Sequence, residues 1–199
     1  MYYLIMGRKL TFCKEKALED TMRLFWRKGY EATSVRDIAA VLDVPIASVY
    51  HSFGDKKSIF LTTLDEYFEK YVKPNFNALL TQENAKQALL DLFNSLAEQC
   101  DNIDMPAGCY LVQTASEISA SDPELAENAR KKLEYIRLQL KTLIEKARRG
   151  KHLTTKETSE NLSHYLFATM LAIKTWSRTG ADSVAVDNYL RLALKPLTQ

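Results

Sequence analysis

Ser48 and His51, three positions apart in the run I-A-S-V-Y-H-S-F, can each donate and accept hydrogen bonds, while Ile46 and Ala47 just before them offer only methyl groups. At helical spacing these four share a face that the apolar pair Val49 and Phe53 leaves free. Their chemistry is recognition, through hydrogen bonds and methyl contacts, and none of it breaks a bond. Side chains suited to covalent work are scattered. Cys13, Cys100 and Cys109 are odd in number and lack C-x-x-C spacing, which indicates neither a disulfide framework nor a zinc site. Cys109 reads as first-turn residue of a helix, where the positive dipole end favours thiolate. That makes it a candidate sensor of oxidants or electrophiles, with Cys100 as a candidate partner, and equally a small apolar core residue. His152 and His164 have no acidic or cysteine partners at metal spacing. A Gly-rich phosphate loop, a serine elbow and a carboxylate–histidine cluster are all absent from the sequence, so no catalytic residue, metal, cofactor or enzymatic activity is predicted.

The elements that must carry these residues lie in the stretch 33–57. Val35, Ile38, Ala39 and Leu42 recur at helical spacing, and Val44, Val49 and Phe53 follow beyond the break Asp43-Val44-Pro45. Pro45 suits the first turn of a new helix. Asp43 stands where such turns often place glycine, and aspartate tolerates a left-handed backbone. Two short helices joined by a tight turn make a helix-turn-helix, whose first helix crosses phosphates and whose second enters the major groove of double-stranded DNA. On that geometry Thr33 and Arg36 become phosphate candidates. Ser48 and His51 become base-reading candidates, and Ile46 and Ala47 suit thymine methyls.

At these residues the sequence resembles the tetracycline-repressor (TetR/AcrR) family of bacterial regulators. The signature appears as Gly29-Tyr30, Thr33-Ser34-Val35, Ile38-Ala39, Val44, Val49-Tyr50, Phe53 and Lys56, and departs at Asp43 for the usual Gly, at Ser52 for His or Tyr, and at Ile46 for a polar residue. The resemblance implies that Tyr50 and Lys56 hold phosphates of a near-palindromic operator. It also implies that the helix opened by Asp55 links a ligand cavity to the DNA, and that the last two helices pack against a two-fold mate as a four-helix bundle. A second run, G-C-Y-L-V-Q-T-A-S-E-I from Gly108, resembles the G-C-x-L-V-x-T-A-x-E stretch of one branch of that family.

The rest of the chain reads as helix. With 199 residues, 46% of them hydrophobic, and only six Gly and five Pro, it can bury a core. No run approaches membrane-helix length, and the apolar start at Tyr2 is too short for a signal peptide, so a cytoplasmic location without membrane contact is expected; Met1 and Met6 are alternative starts. Residues 1–57 hold ten Lys/Arg against seven Asp/Glu, and 58–199 hold seventeen against eighteen, so the N-terminal quarter is the basic one. About nine helices and no strands are predicted, an all-α fold. Residues 1–57 form a helix-turn-helix domain, and 58–199 a helical effector-binding and dimerisation domain. Helix boundaries are expected at Lys14 and Lys28, at the cap Asp55 with a stop at Pro74, at Asp122-Pro123, and at a capping box Thr154-x-x-Glu157.

Tyr67, Tyr71, Phe93, Met105, Cys109, Tyr110, Gln113, Tyr135, Met170 and Trp176 fall on helices that in the family surround a cavity. An aromatic set with polar tips suits a lipophilic or aromatic small-molecule effector, and suits a core as well. The helix preceding the last is apolar on more than one face, which asks for a second buried surface. A homodimer through Tyr165, Thr169, Ile173, Val186, Tyr189, Leu190 and Leu194 would supply it. The function expected is a DNA-binding transcriptional repressor released by its effector, with a thiol-based sensor using Cys109 or a ligand-independent DNA-binding factor as alternatives.

Overall fold

The computed structural model describes residues 14–102, 104–118 and 121–198. Met1, Met6 and Cys13 lie outside them. The described residues form α1 (Lys14–Lys28), α2 (Val35–Leu42), α3 (Ile46–Phe53), α4 (Lys56–Tyr67), α5 (Lys73–Thr81), α6 (Ala85–Glu98), α7 (Tyr110–Glu117), α8 (Pro123–Arg149), α9 (Ser159–Arg178), α10 (Ser183–Ala193) and the short α11 (Lys195–Thr198), with no strand among them. The fold is all-α, with an N-terminal helix-turn-helix and a larger helical body.

Local chemistry sets most boundaries. Ser34 caps α2 and exchanges hydrogen bonds with Asp37 as a capping box. Asp43 closes α2 in the left-handed region at φ 52°, the conformation glycine usually supplies, and Val44 N–H reaches back to Ala39 O at 3.1 Å. Pro45 takes the N-cap of α3, one residue ahead of the first turn expected for it. Asp55 caps α4 through Ser58 N–H at 2.7 Å, and Asp122 caps α8 with Pro123 in its first turn.

Two boundaries depart from the sequence reading. The helix opened by Asp55 does not stop at Pro74. A π-helical turn, Phe68–Val72, carries it into α5, with Lys73 N–H bonded to Phe68 O. Widening the helix by one residue just before the proline relieves the ring's clash with the preceding turn, so the rod bends on instead of ending. The capping box at Thr154 does not open α9 either. Thr158 is the cap, accepting from Asn161 N–H at 3.0 Å, and the segment before it is a loop whose Glu157 carbonyl accepts from Arg148.

α1 packs on α2 and α4, while α8 runs through the body against α6, α7 and α9. The two parts share one core. Phe25 meets Phe60 edge-on at 4.9 Å, Phe60 meets Tyr110 at 5.6 Å, and Trp26 stacks on Tyr110 at 6.1 Å. Each such pair contributes about 0.5–1.5 kcal/mol beyond its burial. Tyr110 hydroxyl, fully buried, shares a 2.9 Å hydrogen bond with Thr63 Oγ1, which removes the cost of leaving either unpaired.

Polar contacts cross the same seam. Glu19 of α1 accepts from Arg23 Nη2 at 2.8 Å, from Tyr71 hydroxyl at 3.0 Å, and from Lys70 of the π turn. Lys70 and Arg23 hold its carboxyl down at about 2, well below the ordinary glutamate value. A depressed folded-state pKa gives stability that is present above the unfolded value and is lost as pH falls from about 4.5 toward 2. Glu19→Gln should therefore cost about 2 kcal/mol at neutral pH, allowing for partial screening, and almost nothing near pH 2. Urea melts of the two proteins across that range check it; a gap independent of pH would show that Glu19 does not act through its charge.

Candidate nucleic-acid interface and ligand cavity

α3 buries Val49 against the helix-turn-helix core and turns Ile46, Ala47, Tyr50 and His51 outward. These lie at i, i+1, i+4 and i+5, one stripe of a helix. Tyr50 is 51% exposed and Ile46 38%, high values for large apolar side chains on so short a helix. Ser48 sits half-buried at the edge of that face. Arg36 is exposed on the first turn of α2. Lys56, in the first turn of α4, holds its ammonium 4.2 Å above the Tyr30 ring, a contact that fixes the side chain near the α3–α4 turn without neutralising it. The neighbouring Lys57 turns the other way, into Asp122 at 2.9 Å and Glu124 at 2.7 Å, so its charge is spent holding α4 against the start of α8.

Thr33 does not belong with this surface. It is buried, and its hydroxyl donates to Gly29 O at 2.6 Å, tying the turn between α1 and α2. The polar side chain closes the loop rather than facing outward.

Inside the body is a cavity of about 650 Å³, within the range of ligand sites. Of the residues expected around it, Tyr67, Tyr71, Met105, Cys109 and Met170 line the wall. Five others do not. Phe93 is packed into the core, and Tyr110 belongs to the aromatic seam. Tyr135 packs edge-on against Phe68, and Trp176 is exposed beside Tyr189. Gln113 lines an adjoining recess of about 420 Å³ with Lys28, Glu117 and Arg178. Cys109, Val112 and Lys174 border both spaces. Cys109 is the N-cap of α7 rather than a first-turn residue, and it accepts a weak 3.6 Å hydrogen bond from Tyr67 hydroxyl. Burial raises the Tyr67 phenol far above its ordinary range, which keeps it a neutral donor.

Sequence reasoning missed Trp26, Phe76 and Lys174 in the wall. Trp26 belongs to α1, which amphipathicity assigns to covering the helix-turn-helix. Phe76 lies past the expected stop at Pro74, and Lys174 interrupts an apolar stripe. A polar residue among Met170, Ile173 and Trp176 is the signal that was available.

The expected dimer residues divide. Thr169, Ile173, Val186, Leu190 and Leu194 are buried within the protomer, because they are the faces of α9 and α10 that pack on their own body. Tyr165 is exposed and Tyr189 half-buried. The outward stripe of these two helices is instead Tyr165, Ala168, Ala172 and Trp176 on α9 with Val184 and Leu192 on α10.

Residues 17–63 match the family described as bacterial regulatory proteins, tetR family, and residues 85–193 match the tetracyclin repressor-like C-terminal domain. The HTH-type transcriptional repressor ComR of Escherichia coli is 31% identical over 121 residues, 60% of this chain and 58% of ComR, so the match spans less than two thirds of that relative. The uncharacterized HTH-type transcriptional regulator YezE of Bacillus subtilis is 24% identical over 193 residues, 96% of this chain and 100% of YezE. Among solved structures, a cysteine mutant of the TetR family regulator CifR complexed with 26-bp double-strand operator DNA aligns at a TM-score of 0.87 and 17% identity, over 95% of this chain and 98% of that one. The reduced form of E. coli NemR aligns at 0.80 and 18%, over 90% and 94%. At such identities the structural likeness speaks for the fold.

Proposed function

This chain belongs to the tetR family of bacterial regulatory proteins, and from that premise we propose that it is a homodimeric repressor that leaves a near-palindromic operator when a small lipophilic or aromatic molecule enters its central cavity. The observation that carries this reading is the make-up of the cavity wall. Trp26 comes from α1, which packs on α2 of the helix-turn-helix, while Tyr67 and Tyr71 come from α4 and the π turn. A ligand in that space touches the helices that hold α2 and α3. Residues 1–57 act as the reading unit and 58–199 as the effector and dimer unit. ComR is named a repressor, and CifR was solved on operator DNA, which supports the same mode and the same partner here.

In this reading Lys56, Tyr50 and Arg36 hold phosphates, while His51 and Ser48 with Ile46 and Ala47 meet base edges. Lys56→Ala should weaken binding to every sequence alike and lower the slope of log affinity against log salt by about one, since one counterion release is lost. His51→Ala should change base preference at one position per half-site. Titrating both variants against a randomised operator library at several salt concentrations checks the division of roles. Equal scaling across all sequences by both variants would overturn it.

A further inference from the structure

Trp26 and Lys174 line the same cavity, and each is a donor without an anionic acceptor. The Trp26 indole N–H is buried and has no hydrogen-bond partner, although the residue is only 4% exposed. Buried donors are normally paired, so one left over just behind a cavity wall is a donor that a ligand's acceptor gains when the indole turns toward it. Lys174 donates to Gln99 Oε1 at 2.7 Å, a neutral acceptor. Burial pushes its ammonium below the ordinary lysine range, and no carboxylate among its neighbours offsets that. The acids nearby are engaged elsewhere. Asp91, at the cavity rim, accepts from Gln87 Nε2 at 2.8 Å, and Glu117, in the adjoining recess, accepts from Glu31 N–H at 3.0 Å. The remaining wall is mostly apolar, including Val72, Phe76, Leu92 and Met170.

We propose that the molecule this cavity takes is an organic acid, its carboxylate held by Lys174 Nζ with the Trp26 indole N–H as a second donor, and its apolar body lying against Val72, Phe76, Leu92 and Met170. The proposal rests on the cavity being the effector site. A single cation with one neutral donor suits a monoanion, since a phosphate dianion would remain under-neutralised in so apolar a wall. Carboxylate binding gives Lys174 the anionic acceptor it lacks and gives the Trp26 N–H a partner. A neutral ligand of the same shape leaves the ammonium in its present, desolvated state.

Two matched pairs of probes test this by isothermal titration calorimetry on the DNA-free protein: octanoate against octanol, and 1-naphthylacetate against 2-(1-naphthyl)ethanol. In at least one pair the acid should bind about tenfold or more tightly than the alcohol, because only the acid forms the charge-assisted bond. Lys174→Met should abolish that preference while leaving alcohol affinity within about threefold, and Lys174→Arg should retain it. Trp26→Phe should weaken the acid severalfold. The comparison of acid with alcohol on the unaltered protein needs no variant to fold. Alcohols that match their acids in both pairs, a preference that survives Lys174→Met, or no binding by any of the four probes would each overturn the proposal. None of these readouts involves DNA, so such a failure leaves the regulator reading to stand or fall on the Lys56 and His51 titrations.

Discussion

Leu192→Arg combined with Ala172→Arg is expected to leave a folded monomer that binds operator about a hundredfold more weakly than the unaltered protein, because a dimer engages both half-sites through one linkage and a monomer must hold each alone. α9 and α10 leave an apolar face uncovered. Val184 is 66% and Leu192 65% exposed, and Tyr165 and Trp176 from α9 join them. These are four of the eight large hydrophobic side chains exposed among the described residues, gathered on two adjacent helices. Ala168 and Ala172 lie between Tyr165 and Trp176 on the same stripe, and small residues there let a facing helix approach closely. Tyr165 hydroxyl donates to Ala193 O at 2.8 Å, which locks the two helices into one platform. An exposed apolar face on these two helices is what a two-fold four-helix interface would cover. Arginine at Leu192 and Ala172 would bring like charges together across the axis while touching nothing in the protomer's own core. Arginine at Leu190, 3% exposed, would instead bury a charge and unfold the chain. Light scattering with circular dichroism separates the outcomes. An undiminished dimer mass for the double variant would remove this face from the interface.

That contrast also shows where sequence reasoning succeeds and where it stops. α1 occupies the span read from its amphipathic stripe and its flanking Gly29, and Asp43, Asp55 and Asp122 sit at helix ends as their side-chain chemistry demands. Those features are local: a cap is decided by residues within one turn. Choosing which of two apolar stripes faces the chain's own core is not local. On α10 the spacing singles out Val186, Leu190 and Leu194, and that face turns inward, whereas Val184 and Leu192 look like noise between them until the body of the fold is present. Thr33 misled for a related reason, since a hydroxyl reads as polar and exposed until its Gly29 acceptor is in place. The outward stripe of α3 was legible because Val49 and Phe53 face the core, and the cavity was half legible because aromatics mark it but cannot say which helix brings a neighbour across from α1.

Operator affinity at saturating effector and effector affinity at saturating operator should fall by the same factor, about 5- to 150-fold, because binding free energies are linked reciprocally. On the proposed function, two rods would carry the coupling. α4 begins at Lys56 beside the reading helix and reaches the cavity at Tyr67, and the π turn beyond it adds Tyr71 and Val72 to the wall. α7 is preceded by its N-cap Cys109, in the cavity wall, and ends at Glu117, whose carboxylate accepts from Glu31 N–H at 3.0 Å. That carboxylate crowds Gly29 so closely that a Cβ there would meet its oxygens at 2.7 Å. A ligand that displaces the start of α7 therefore moves a group pressed against the turn before α2. The reading helices of a dimer must lie roughly 34–36 Å apart to meet successive major grooves, so a small tilt is enough and the helices need not unfold. Glu117→Ala should then shrink both factors together while leaving effector affinity for the DNA-free protein within about twofold, since the carboxylate bonds the α1–α2 turn and not the central cavity. Paired titrations of the two proteins decide the matter. Full coupling in Glu117→Ala would leave α4 as the only conductor, and an unaltered protein in which neither affinity moves would mean that this cavity is not coupled to the reading helices.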